Sequence, residues 1–293
     1  MEFKKNNVAL IVHACDRYKF LYEGFEHFFL KYWDFKVDCN YYFATEVESA
    51  SIDNFTNIKS GRGEWADRLA VLLKEKITEK YVLYFQEDMW LDKKVNANFF
   101  NELFKLAEQN NWQQVKLHSS DIYKTKATDI LIEGFVVSVL DNEASDYLMS
   151  HQVTLWNKEF LLKQLHKKEH PWRNERKATK RLKKLDPQIF HLDYFQINRE
   201  VFNNNANLNP VLKSRYQTIS TNGKLNEVVL PLIEELKSGN IAQQQYAAKL
   251  QHHFSNDLTY DGNPTPQKFD IIKWIKGKVK RLTVKFKNGS GNS

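Results

Sequence analysis

The adjacent carboxylates Glu87 and Asp88 follow the apolar run Tyr81-Val82-Leu83-Tyr84-Phe85 after a single Gln86. Such a run reads as a buried strand, and ligands of open α/β sheets sit beyond the carboxyl ends of strands. Acids placed there can hold a divalent cation, Mn²⁺ or Mg²⁺, against phosphate oxygens. The same pair also suits a solvated strand-end turn or a helix N-terminus, so its surroundings must decide. Other reactive patterns are missing. No Gly-x-x-x-x-Gly-Lys-Ser/Thr loop occurs, and Gly289-Ser290-Gly291 lies in the tail rather than in a nucleophile elbow. The nine His include no His-Glu-x-x-His spacing, and His252-His253 reads as a helix surface pair. Cys15 and Cys39 have no metal-type spacing, which predicts free thiols in a reducing compartment.

The elements that would position these acids follow from periodicity. Val8-Ala9-Leu10-Ile11-Val12 predicts a first buried strand, ending in the polar loop His13 to Tyr18. It is broken by His13 and Asp16 too soon for a secretory signal. Phe20, Leu21, Phe25, Phe28, Phe29 and Tyr32 recur at helical spacing, and Val37 to Thr45 alternates like a strand. This β-loop-α-β order opens an α/β nucleotide-binding sheet. A turn at Ser60-Gly61-Arg62-Gly63 leads into a helix over Glu64–Ile77. Further on, the pattern predicts a helix over 95–109, a strand over Val115–His118 and a β-rich region over 130–157. Helices are expected at Leu161–Lys168 and Glu175–Leu185, separated by His170-Pro171-Trp172, then a strand at Ile189–Ile197 and a helical piece over 225–254. Asn203 to Asn207 reads as a loop and Asp261 to Pro266 as a linker.

Composition narrows the class. In 293 residues, 42% hydrophobic content provides a core, and 10 Gly and 6 Pro exclude collagen-like or wholly disordered chains. No stretch reaches the roughly 18 uncharged apolar residues of a membrane span. The net charge of +7 resides in the tail, where Lys268, Lys273, Lys276, Lys278, Lys280, Arg281, Lys285 and Lys287 face only Asp270. A neutral body argues against a duplex-binding protein or a metal-dependent nucleic-acid enzyme. Phe269, Ile272, Ile275, Val279, Leu282 and Phe286 make 267–287 a basic amphipathic helix, suited to an anionic membrane interface or to docking on the body.

Taken in order, these features resemble the GT-A glycosyltransferases: a first strand with an acidic loop (Asp16-Arg17), a helix carrying Trp65-Ala66-Asp67-Arg68-Leu69, and a hydrophobic strand ending in Glu87-Asp88. The chain is further similar to bacterial capsule and lipopolysaccharide sugar transferases in Gln152-Val153-Thr154-Leu155-Trp156-Asn157-Lys158-Glu159-Phe160-Leu161 and in Pro171-Trp172-Arg173-Asn174-Glu175. The likeness spans the first 200 residues. It implies a GT-A-like nucleotide-binding mixed sheet flanked by helices over 1–210, with a helical extension over 211–262 and the linker and basic helix over 263–293.

That resemblance implies roles. Asp16 and Arg17 would lie near the nucleotide base, Asp67 and Arg68 would help hold the donor, and Glu87 and Asp88 would meet the diphosphate and a metal. Gln152, Trp156, Trp172 and Arg173 would bind the acceptor. The family's Asp-x-Asp is absent, because Gln86 and Trp90 stand two positions either side of Asp88 where a second acid would be needed, so neutralisation of the diphosphate by Arg and Lys alone stays open. An inverting transfer to a hydroxyl needs a base. Glu175 is the candidate and Asp121 the reserve, although Glu175 also suits a plain acid near a helix start. The basic run Lys163–Lys184 suits a solvated helix face or an anionic acceptor. The expected function is transfer from a nucleoside-diphosphate sugar, UDP-sugar favoured, to a surface-glycan or lipid-linked acceptor at the cytoplasmic face of a membrane. The alternative is a non-catalytic, membrane-associated binding protein of the same fold.

Overall fold

The computed structural model describes residues 7–198 and 213–264. In chain order the elements are β1 (Val8–His13), a 3-10 turn (Asp16–Leu21), α1 (Tyr22–Tyr32), β2 (Asn40–Thr45), β3 (Thr56–Lys59), α2 (Trp65–Val71) extended by a π turn (Leu72–Lys76), β4 (Tyr81–Phe85), β5 (Met89–Lys93) and α3 (Ala97–Gln109). There follow β6 (Gln114–His118), β7 (Thr125–Ile132), β8 (Phe135–Leu140), β9 (Thr154–Asn157), α4 (Lys158–Gln164), α5 (Pro171–Leu185), β10 (Phe190–Ile197) and β11 (Ser214–Thr218). A hairpin of β12 (Ser220–Thr221) and β13 (Lys224–Leu225), then α6 (Leu230–Lys237) and α7 (Ile241–Ser255), complete the set.

The expected α/β architecture is present: one large mixed sheet with helices on both faces. Val8, Leu10 and Val12 of β1 enter one core, while Ala9 and Ile11 enter another on the opposite face, because strand side chains alternate. Burial on both faces is why β1 and β4 read as continuous apolar runs. The first core is covered by α1, α3, α6 and α7, the second by α2, α4 and α5. Phe25, Phe28 and Phe29 line α1 at no more than 1% exposure. Phe28 stacks on Trp90 at 5.3 Å, and burying rings of this size contributes about 1.5–3 kcal/mol each. Gly24 permits that approach, since a Cβ there would sit 2.2 Å from the Trp90 ring.

Strand order is β3-β2-β1-β4-β9-β6-β10-β11-β5, with β7 and β8 paired off β10. The first four strands are parallel, β9 runs antiparallel to β4 and β6, and β6, β10 and β11 are again parallel. The carboxyl ends of β1, β4 and β11 therefore share one edge with the amino end of β9.

Four expectations change. The helix expected from Glu175 begins at Pro171, whose missing N–H and fixed φ suit a first helical position. The helical piece over 225–254 is two helices, because Asn240 and Gln243 form a reciprocal cap that starts α7 anew. A boundary at 210 does not separate sheet from extension: β11 lies between β10 and β5, and Tyr246 of α7 reaches Trp90 in the same core. Asp261 and Asn263 fold back rather than link, through an Arg17 ion pair at 3.7 Å and a Thr259 N–H bond to the Asn263 carbonyl. The Asn-rich loop 203–207 and the basic helix 267–287 lie outside the described residues. Among the described residues no helix is long and apolar enough to cross a membrane.

Candidate active site

Gln86-Glu87-Asp88 turns the chain between β4 and β5, which do not pair with each other. The turn is fixed by Trp90 Nε1 donating to the Glu87 carbonyl at 3.1 Å and by Ile219 N–H donating to the Asp88 carbonyl at 3.0 Å. Glu87 is 3% exposed and points back to Cys15 N–H, 3.4 Å away. Burial, then the Asp88 charge, pushes its carboxyl well above the usual range. Asp88 faces the cleft, with a buried Oδ1 that has no hydrogen-bond partner. Burial pushes its pKa up to about 7.

The neighbouring loop after β1 is held by charge. Asp16 accepts from the N–H groups of Glu46, Val47 and Glu48 at 2.9, 2.9 and 3.0 Å. Partial burial works against ionisation, but these donors outweigh it and hold the carboxyl below its ordinary value. Glu46 in turn accepts from Asp16 N–H at 3.0 Å and pairs with Arg68 at 3.1 Å. Arg68, 5% exposed, also donates to Ser60 Oγ and to the Ala14 carbonyl. Its guanidinium thus ties α2 to the loops after β1 and β2.

The opposite wall is α5. Its entry is locked by Glu169, which accepts from Asn174 Nδ2 at 2.7 Å and pairs with Arg181 at 3.1 Å. This sets Glu175 toward the cleft, where its Oε1 accepts His151 N–H at 3.0 Å. Burial raises the Glu175 pKa against the opposing pull of that N–H and of Lys116 and Arg176. The His151 ring lies 4.0 Å from Trp65, and its Nε2 faces the Pro171 carbonyl at 3.2 Å. Burial drops its pKa to about 3, so the imidazole is neutral and acts as a brace. Gln152 accepts from Tyr216 OH at 2.7 Å.

Between these walls lies a cleft of about 710 Å³, lined among others by Arg17, Tyr18, Gln86, Asp88, His151, Gln152, Trp172, Glu175 and residues 220–223. That volume falls in the range of small-molecule sites. Of the residues singled out by sequence, the fold brings together Arg17, Asp88, Gln152, Trp172 and Glu175.

The rest lie elsewhere. Trp156 is 1% exposed and packs on Phe160, so core packing rather than acceptor contact explains it. Arg68 and Asp16 are loop clasps rather than cleft residues. Asp67 accepts Lys168 N–H at 3.1 Å, outside the cleft. Asp121 occupies an exposed turn away from it, and Arg173 lines an adjoining pocket. Sequence reasoning missed Tyr18, Gln86, His151, His170 and the 220–223 hairpin. The hairpin had a signal: Asn222-Gly223 takes φ of 56° and 79°, the left-handed pair favoured in two-residue turns.

No group of three or more His, Cys, Asp or Glu side chains among the described residues is placed to hold a metal. The orphaned Oδ1 of Asp88 nevertheless fits a site of the kind Mg²⁺ uses, with one or two carboxylates and the other positions left to phosphate oxygens and water.

No protein-family model and no curated protein matches the chain. Among solved structures it is similar to Staphylococcus aureus TarS residues 1–349 in complex with UDP-GlcNAc, at 13% identity over 85% of this chain and 73% of that one, TM-score 0.43. The same protein in complex with UDP gives 13% identity, 85% and 72% coverage and TM-score 0.45. A UDP-glucose pyrophosphorylase complexed with UDP-glucose gives 9% identity, 64% and 90% coverage and TM-score 0.37.

Proposed function

We propose that this chain is a GT-A-like glycosyltransferase that moves a sugar from a nucleoside-diphosphate donor, UDP-sugar favoured, to a hydroxyl of a bacterial surface-glycan acceptor. The observation that carries the reading is that Asp88 and Glu175, distant in sequence, line one cleft at the carboxyl edge of β1 and β4. The donor diphosphate would lie over Asp88, with the nucleoside toward Arg17 and Tyr18. A divalent cation held by Asp88, with Glu87 behind it, would neutralise charge on the departing diphosphate. Arg17 would add a fixed positive charge to the same oxygens. In an inverting transfer, Glu175 would take the proton of the attacking acceptor hydroxyl, for which a raised carboxylate pKa is favourable. His151 N–H and the Glu169–Arg181 lock would hold that carboxylate in line, and Gln152 and Trp172 would position the acceptor sugar.

Isothermal titration of the full chain with UDP in the presence of Mn²⁺ tests this directly. Binding that weakens in Asp88→Ala, with sugar transfer lost, is the expected outcome, and a cleft that ignores UDP and UDP-sugars with either cation would defeat the proposal. The inward turn of Glu87, leaving Asp88 as the only member of that acid pair in the cleft, favours a second reading as a nucleotide-sugar-binding protein without turnover, which the same titration would reveal as binding without transfer. The basic helix expected over 267–287 would anchor the enzyme to the cytoplasmic face of an anionic membrane. Truncation after Pro266 should release the protein from vesicles of phosphatidylglycerol, and undiminished vesicle binding would refute the anchor.

A further inference from the structure

His170 and Trp172 line two pockets at once: the cleft, and an adjoining pocket of about 390 Å³ completed by Glu64, Lys168, Arg173 and Arg176. Three basic side chains and an imidazole there face a single carboxylate. All of these side chains are exposed. Among the described residues, the ion pairs made by α5 cations are those of Lys177 and Arg181, both with Glu169, at 3.9 and 3.1 Å. Lys168, Arg173 and Arg176 form no ion pair among the described residues, although Arg176 also acts on Glu175, and a concave site lined mostly by one sign of charge concentrates the opposite one.

The pocket's position gives that field a purpose. Trp172, Glu175 and Arg176 lie three and four positions apart on α5, so they neighbour one another on one helix face. Trp172 is 55% exposed at the junction of the two pockets, presenting a flat apolar ring of the size of a sugar face. A chain of sugars whose reacting hydroxyl meets Glu175 would cross Trp172 and arrive at Arg173, Arg176 and Lys168. Guanidinium groups recognise phosphate and carboxylate oxygens in pairs, with charge-assisted hydrogen bonds.

We propose that the acceptor glycan carries an oxyanion, phosphate or carboxylate, beside the sugar that is modified, and that Lys168, His170, Arg173 and Arg176 bind it across Trp172. This rests on the transferase reading and names the acceptor class within it.

The test is calorimetric titration of the full chain, first saturated with UDP so that the cleft's own diphosphate position is filled. The probes are glucose 6-phosphate, digalacturonate and the neutral disaccharide maltose. At least one anionic probe should bind about tenfold or more tighter than maltose, and the advantage should shrink as NaCl rises from about 50 to about 500 mM. Whichever anion wins identifies the oxyanion. Arg173→Gln/Arg176→Gln should abolish the preference while leaving UDP affinity unchanged. Equal affinities for all three probes, or a preference that survives the double substitution, would overturn the proposal. If the double variant proves unstable, Lys168→Gln and the salt dependence of the unaltered chain decide in the same way. The UDP titration separates the two readings: intact UDP binding without charge preference defeats the oxyanion pocket alone, whereas absent UDP binding defeats the transferase reading and this one with it.

Discussion

The wall built from the ends of β1 and β4 and the wall built from α5 both present a carboxylate to the cleft, but they hold it by different means. On the first wall Asp88 is left with an unpartnered oxygen over a buried Glu87, and burial makes both acids hold their protons above the ordinary carboxylate range, so ionising them calls for an added positive charge. On the second, Glu175 is supported by His151 N–H and has Lys116 and Arg176 nearby. The lesson is that one acid is poised to receive an external cation, while the other is already balanced internally and free to exchange a proton. The surroundings repeat the division: the loop after β1 is clasped by Asp16, Glu46 and Arg68, whereas among the described residues Arg173 and Arg176 in the first turns of α5 form no ion pair.

The comparison is broken most strongly at Glu175. Glu175→Gln should lower kcat by about 10²–10⁴-fold while leaving UDP affinity intact, and a fall in UDP affinity of the same size would show that Glu175 serves the donor instead. Asp88→Asn should cost about 10²–10³-fold in kcat/KM for the donor, because electrostatic stabilisation of the leaving diphosphate is lost. Cation dependence should weaken with it, and a variant with undiminished Mn²⁺ response would move the cation site elsewhere.

A smaller effect concerns stability, measured by urea unfolding across pH without added cation. Folded Asp88 keeps its proton to about pH 7, whereas an unfolded Asp loses it near pH 4. Between these values the folded chain binds more protons, so Asp88 lowers stability progressively as pH rises from about 4 to about 7. Asp88→Asn should therefore gain on the unaltered chain over that window. Behind the α5 wall, buried Lys116 donates to Tyr123 OH and Ser150 Oγ at 3.0 and 2.8 Å, and burial drops its pKa to about 7. An unfolded Lys holds its proton to about pH 10.4, so the unfolded chain binds more protons from about 7 to about 10, and Lys116 opposes folding most at and below pH 7. Lys116→Met should show its relative advantage there and lose it as pH climbs. Parallel pH profiles for the variants and the unaltered chain would contradict the opposed design of the two walls.

Much of this was legible in the chain and some was not. β1, α1, β4 and α3 announce themselves because burial imposes a period that apolar residues must follow. β5 and β11 do not: Ser214-Arg215-Tyr216-Gln217-Thr218 is polar, and it becomes a strand by pairing with β10 and β5. Trp156 shows the same limit in reverse, since an aromatic residue in a motif-like stretch reads equally as ligand platform or core, and only packing against Phe160 tells which. Arg68 looked like a free phosphate fork, yet Glu46, contributed by a different loop, claims it.

By itself the sequence determined which residues are acids, which strands are buried on both faces, and that a carboxylate pair ends one of them, because these depend on side-chain chemistry and local period. Tertiary structure decided that Glu87 turns inward while Asp88 faces out, that Glu175 stands across from it, and that Lys168, Arg173 and Arg176 share a pocket beside Trp172. Those facts depend on strand order and helix entry, which are set by contacts between residues far apart in the chain, and no local pattern encodes which distant segments will meet.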